Sequence, residues 1–196
     1  MTNKIYLLSS NQGKIDAANL VFKKYGIEVL PLELDVAEIQ AATSQEIARA
    51  MAVEAHKLTG KPVIREDHSF YIDELGFPGP FMAYTDKTIS VEQLLKIVDT
   101  LKCRDAHFEL AATYVDESGK AHDFSYTVPV VIGKEIKGTD KLRWERLMMF
   151  KGDSKTFAEL DKNEHAEVWT NNYKDIAKLI RNNSLLLDGS AIGFPC

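Results

Sequence analysis

Apolar positions along the chain change period several times, and each change predicts an element. Lys4 to Leu8 is a short apolar run that reads as a buried strand. Ser9 stands three residues before Gln12, the spacing of a capping box. Behind it Ile15, Ala18, Phe22 and Tyr25 share one helical stripe, which Gly26 ends. Glu28 to Leu34 alternates as a second strand would. This β-α-β opening predicts an α/β protein. Thr43 and Glu46 form another capping pair, followed by Ile47, Ala50, Met51 and Leu58 on one face, with the helix ending near Gly60. Pro62 to Arg65 reads as a short strand leading into Glu66-Asp67, and Gly76-Phe77-Pro78-Gly79-Pro80 as a rigid loop.

Ser90 caps a third helix with Leu94, Ile97, Val98 and Leu101 as its core stripe. Two long alternating runs follow, Phe108 to Tyr114 and Phe124 to Ile132, joined across Asp116-Glu117-Ser118-Gly119 as a hairpin. A last helix starts near Asn172 and carries Ile176, Leu179 and Ile180. The pattern predicts one α/β domain of two lobes over residues 1–181. Residues 182–196 lack periodicity and read as a C-terminal tail without a regular fold of its own.

Composition narrows the function class. The chain has 196 residues, 24 basic and 29 acidic, for a net charge of −5. An acidic balance disfavours nucleic-acid or anionic-membrane surfaces, which need a basic face. No run of about 18 apolar residues is present, so no membrane span is expected. The first residues lack the pattern of a secretory signal. Cys103 and Cys196 have no metal-ligand spacing and read as reduced thiols of a cytoplasmic protein.

Two constellations carry chemistry. The first is the strand-to-helix turn Ser9-Ser10-Asn11-Gln12-Gly13-Lys14. A helix N-terminus offers unpaired N–H groups and a positive dipole end, to which Ser9, Asn11 and Lys14 add polar and charged partners for a phosphate. It is not a Walker A loop. The second is the carboxylate set Glu38, Glu66 and Asp67. Acids at one edge of an open sheet suit Mg²⁺, which takes hard oxygen ligands. His68 is singled out because it adjoins Asp67 and titrates near neutrality. Neither a zinc pattern, nor a nucleophile elbow, nor a dinucleotide fingerprint is present.

Taken together, these residues resemble the inosine triphosphate pyrophosphatase family. Ser9-x-Asn11-x-x-Lys14 is similar to its T/S-x-N-x-x-K opening, and Glu38-Ile39-Gln40 to its E-I/Y-Q. Glu66-Asp67-His68 with Leu75-Gly76-Phe77-Pro78-Gly79-Pro80 resembles E-D-[ST]-G-L…L-x-G-x-P-G-P-Y. Lys155-Thr156-Phe157-Ala158-Glu159-Leu160 resembles K-T-[FY]-A-E-M. The resemblance implies an elongated mixed sheet with two lobes flanking a cleft, and a homodimer. It also implies Mg²⁺-dependent (or Mn²⁺-dependent) cleavage of a nucleoside triphosphate to monophosphate and pyrophosphate. Lys14, Ser9 and Asn11 would hold phosphate. Glu38 and Asp67 would bind the metal, Glu66 would support it, and Asp67 would activate the water.

The departures cluster in the recognition half. A family lysine on the second helix aligns with Met51, leaving Arg49 and Arg65 as substitutes. His68 replaces Ser or Thr. The family's F-G-[YW]-D-P-x-F aligns with Leu142-Arg143-Trp144-Glu145-Arg146-Leu147-Met148. Its K-N-x-x-S-H-R aligns with His165 to Asn171, so the Lys, His and Arg that meet the nucleotide are missing. His68, Arg143, Trp144 and Glu145 become the substrate-binding expectations, with Trp144 or Trp169 against the base. Two readings follow: a pyrophosphohydrolase with altered, non-inosine specificity, or an inactive descendant that binds nucleotide or acts as an interaction module.

Overall fold

The computed structural model describes residues 4–139, 144–161 and 164–187. In chain order the elements are β1 (Lys4–Leu7), α1 (Gln12–Phe22), β2 (Glu28–Pro31), α2 (Ser44–Thr59), β3 (Val63–Ile72) and β4 (Phe77–Gly79). They continue with α3 (Met82–Thr88), α4 (Val91–Val98), β5 (Asp105–Val115), β6 (Ala121–Ile132), β7 (Met148–Phe150) and α5 (Asn171–Leu187). Short 3₁₀ turns lie at Lys23–Tyr25, Trp144–Arg146, Phe157–Glu159 and Ala166–Thr170.

The strands form one mixed sheet in the order β2-β1-β3-β5-β6-β7, with β4 pairing β3 off this path. β1 is parallel to both β2 and β3, whereas β3, β5, β6 and β7 are successively antiparallel. The first connection leads from β1 to β2 on one side, and the second returns past β1 to β3 on the other. The strand order therefore reverses between β1 and β3. In open α/β sheets such a switch point opens the crevice that takes ligands.

Strand alternation sends the two helices to opposite faces. On one face Ile5, Leu7, Phe22, Ile64, Tyr173 and Ile176 pack α1 and α5 against the sheet. On the other, Leu8, Leu32, Ile47, Met51 and Val63 pack α2. The far half is closed by Phe70, Leu94, Val98, Ile132, Trp144 and Leu147. The Thr43–Glu46 capping box forms as its spacing predicts, Ser90 caps α4 as expected with Gln93 completing a box, and Gly26 and Gly60 end their helical segments in the left-handed region.

The structure corrects several local expectations. Asn11, not Ser9, caps α1: its side-chain oxygen accepts from Gly13 N and Lys14 N, and Ser9 Oγ accepts from Asn11 N. A Cβ on Gly13 would sit 3.2 Å from Asn11 Oδ1, so glycine leaves room for this cap. β2 stops at Pro31, short of Leu34. β3 does not end at Arg65 but runs ten residues to Ile72, because β5 pairs along its whole length. The expected Gly76–Pro80 loop contains strand β4, which pairs β3 at Phe70–Ile72. Ile97 is exposed, so Val91, Leu94 and Val98 form the buried face of α4. The last helix continues to Leu187, beyond the expected end near Arg181. The remainder of the expected tail, 188–196, lies outside the described residues.

Candidate active site

β1 pairs β3 only at Val63 and Ile64, and β4 pairs it only from Phe70 onward. Between these ladders residues 65–69 have no strand on that side among the described residues. Glu66, Asp67 and His68 line this gap. They were expected beyond a strand end; they lie mid-strand, where the neighbouring strand ends instead. The Ser9–Lys14 turn leads out of β1 directly beside them, so the phosphate and carboxylate constellations meet.

Alternation divides the gap. Glu66 and His68 belong to the α1–α5 face, as Ile64 does, and Arg65 and Asp67 to the α2 face with Val63 and Ser69. On the first face Glu66 is nearly inaccessible, and its Oε2 accepts a 2.8 Å hydrogen bond from the Tyr173 hydroxyl. His68 Nε2 lies 3.3 Å from Glu66 Oε1, close but off-axis. Lys14 Nζ donates to the Glu66 carbonyl at 3.1 Å and stands 4.0 Å from Oε2. Burial pushes the Glu66 carboxyl up, but the His68 contact, the Lys14 charge and the Tyr173 hydroxyl together hold it below the usual range. Burial lowers Lys14, against the opposing pull of Glu66 and Asp67. Tyr173 is raised well above a free phenol, by burial first and then by the Glu66 charge. The cluster thus sets a buried carboxylate beside a buried lysine at the edge of the gap.

On the second face Arg65 spans the gap's start. Its Nη1 donates to Leu8 O and its Nη2 to Glu38 Oε2, both at 3.1 Å. Glu38 pairs with Arg65, and Asp67 lies two positions further along the same face of β3. Among the described residues no group of three or more metal-ligating side chains exists. Two carboxylates fit Mg²⁺, which is held through one or two carboxylates, waters and substrate phosphates rather than a full protein cage.

Two cavities flank this centre. One, of about 280 Å³, is lined by Leu8, Ser9, Ser10, Met51 and Arg65 among others. The other, of about 320 Å³, is lined by Phe150, Phe157 and Trp169 with Glu145, Asp161 and Glu164. Trp169 joins it to the centre, stacking on His68 with ring centroids 5.9 Å apart.

Most of the expected site residues come together here: Ser9, Lys14, Glu38, Glu66, Asp67 and His68. Asn11 is occupied in capping α1. Trp144 is a correction: its ring is fully buried against Phe70, its Nε1 donates to Ile89 O, and it lines neither cavity. Glu145 does line the aromatic cavity. Arg143 and Leu142 lie outside the described residues. Arg49 is held over β5–β6 by Asp123, so of the two substitutes for the missing lysine only Arg65 reaches the centre. Tyr173 went unrecognised, since a helix-borne tyrosine reads as core; its position on the inward stripe with Ile176 and Ile180 was the available signal.

The Ham1 family model matches residues 5–179 of this chain. A dITP/XTP pyrophosphatase of Ignicoccus hospitalis is 36% identical over 162 residues, covering 82% of this chain and 86% of its own. One from Methanopyrus kandleri is 32% identical over 166 residues, covering 84% and 88%. The structure of the Staphylococcus aureus Ham1 protein superposes with a TM-score of 0.77 at 23% identity, over 92% of this chain and 99% of that one. That last likeness bears on the fold alone.

Proposed function

The chain belongs to the Ham1 family, and from that premise we propose that it is a nucleoside triphosphate pyrophosphohydrolase whose base specificity has moved away from inosine. The observation that carries the activity is the Lys14–Glu66–Asp67 centre at the strand-order reversal, in a chain whose relatives are dITP/XTP pyrophosphatases.

The triphosphate lies along Ser9, Ser10 and Lys14, where Lys14 Nζ neutralises phosphate charge. Glu38 and Asp67 would hold Mg²⁺ or Mn²⁺, and when bound that ion offsets phosphate charge and lowers the pKa of water. Asp67 orients the attacking water by accepting its hydrogen bond. Glu66 fixes Lys14, whose Nζ donates to its carbonyl and stands 4.0 Å from its carboxylate, and its charge opposes the lowering that burial imposes on the ammonium. Water adds to the α-phosphorus as the α–β anhydride bond breaks. The products are monophosphate and pyrophosphate; the water's first proton passes to Asp67 and from there to solvent, and its second is lost to solvent from the monophosphate.

The aromatic cavity supports the altered specificity. Its described lining has three carboxylates and no basic side chain. Lys155, nearby, is paired to Glu164. The segment that replaces the family's Lys, His and Arg is spent locally: Thr170 Oγ1 donates to Glu167 O, Asn171 Nδ2 to Val168 O, and His165 pairs with Asp153. A base stacked on Trp169 therefore meets a wall of acidic rather than basic side chains among the described residues, which favours one presenting donor groups. The reading includes a homodimer and a cytoplasmic location; no described helix is long and apolar enough to cross a membrane.

The test is a panel of ITP, XTP, dITP, ordinary and modified-base triphosphates with Mg²⁺ or Mn²⁺, beside Asp67→Asn. Pyrophosphate release that Asp67→Asn lacks, and that peaks away from ITP, is expected. Silence from folded protein across the panel overturns the activity and leaves a nucleotide-binding descendant. A maximum on ITP overturns the specificity.

A further inference from the structure

The cavity beside the Ser9–Ser10 turn is polar at one wall and apolar at the other. Met51 is buried there among Leu8, Leu32 and Val63, so α2 presents no cation to the space. Arg65 is the one basic residue in its described lining; the acid there, Glu33, is exposed to solvent. The Arg65 side chain is only 16% exposed. A guanidinium has five N–H donors. Two are engaged, by Leu8 O and Glu38. Nε is inaccessible to solvent and has no partner among the described residues. Buried donors are rarely left so unless something else comes to meet them.

We propose that Arg65 is a phosphate-binding residue, supplying from β3 the second cation that α2 lacks at Met51. The assignment rests on the pyrophosphohydrolase reading for its substrate, but not for its geometry. The guanidinium is a planar fork that matches phosphate oxygens in pairs. Its tether to Leu8 O aims it at the turn that carries Ser9 and Lys14. Phosphate bound here lies between two cations anchored on opposite faces of the sheet, Lys14 from the α1 side and Arg65 from the α2 side. Glu38 is then a competitor: in the free protein it holds Nη2, and an arriving phosphate takes its place and releases the carboxylate.

Inorganic tripolyphosphate is the probe, titrated calorimetrically into the full chain in EDTA, so that no metal role of Glu38 enters. Wild-type protein is expected to bind. Arg65→Gln is expected to weaken binding by about tenfold or more, the worth of one charge-assisted hydrogen-bond pair. Glu38→Gln, at an exposed position, leaves Arg65 in place and is expected to tighten binding. Arg49→Ala is expected to change nothing. Absence of wild-type binding overturns the assignment, as does wild-type affinity in folded Arg65→Gln. Should Arg65→Gln not fold, Glu38→Gln decides: unchanged or weaker binding overturns it. Pyrophosphate release from nucleotides is measured in parallel on the wild type. Arg65-dependent tripolyphosphate binding without turnover sinks the activity and keeps the phosphate site. Turnover with Arg65-independent binding does the reverse.

Discussion

Tyr173→Phe removes one hydroxyl and nothing else from the centre of the molecule. That hydroxyl donates to Glu66 Oε2 at 2.8 Å, and neither residue is accessible to solvent. Phenylalanine fills the same space against Phe22, so no cavity opens. What is lost is a hydrogen bond to a buried charge, worth about 2 kcal/mol. For a chain of this size that is a fall in Tm of about 4–8 °C. The loss should depend on pH. Glu66 is held below the ordinary glutamate value of about 4.3. A lowered carboxyl stabilises the fold above its unfolded value, and that contribution fades as pH falls through the folded value. Without the hydroxyl the folded value rises, and less stability hangs on ionisation. The gap between wild type and variant is therefore full at pH 7 and narrows as pH falls below about 4. Urea denaturation at pH 7 and at a series of lower values measures it. If turnover is followed too, the acid limb of kcat/KM should move to higher pH in the variant. A gap under about 0.5 kcal/mol at pH 7, or one that does not narrow on acidification, would refute the reasoning.

Three further substitutions probe separate parts of the account. Trp169→Ala removes the wall that stacks on His68; KM for the preferred nucleotide should rise about 5–150-fold, the worth of one stacked base, with tripolyphosphate affinity unchanged in calorimetry. Gly138→Ala places a Cβ 2.7 Å from Ala158 Cβ at a φ of +77°; differential scanning fluorimetry should show Tm falling by about 4 °C or more. Thr43→Ala breaks the capping box of α2, and its cost of about 1 kcal/mol should appear as a Tm lowered by about 2–4 °C with wild-type turnover.

Most local signals were legible in the sequence, the Ser9–Gln12 spacing excepted, since Asn11 takes that cap. The Thr43–Glu46 box, the Ser90 cap, the Gly26 and Gly60 stops and the β5–β6 hairpin all rest on signals a few residues long, and all are present. Expectations failed where tertiary pairing decides. β3 continues through five consecutive polar residues, Arg65 to Ser69, because β5 pairs it throughout. No hydrophobic period could show that. Trp144 and Trp169 looked equivalent as aromatic neighbours of charged residues. Packing makes one core and the other cavity wall. The Met51–Arg65 exchange was visible as a lost lysine with two candidate replacements, and only the Asp123 pairing of Arg49 separates them.

The account turns on which phosphoanhydride bond breaks. Phosphorus NMR of the products formed by wild-type protein with Mg²⁺ and its preferred triphosphate reads that directly. The account predicts monophosphate and pyrophosphate in equal amounts from the first turnovers. Diphosphate with orthophosphate would contradict it, because the bond attacked would then be the terminal one and the Ser9–Lys14 turn would hold the wrong phosphate.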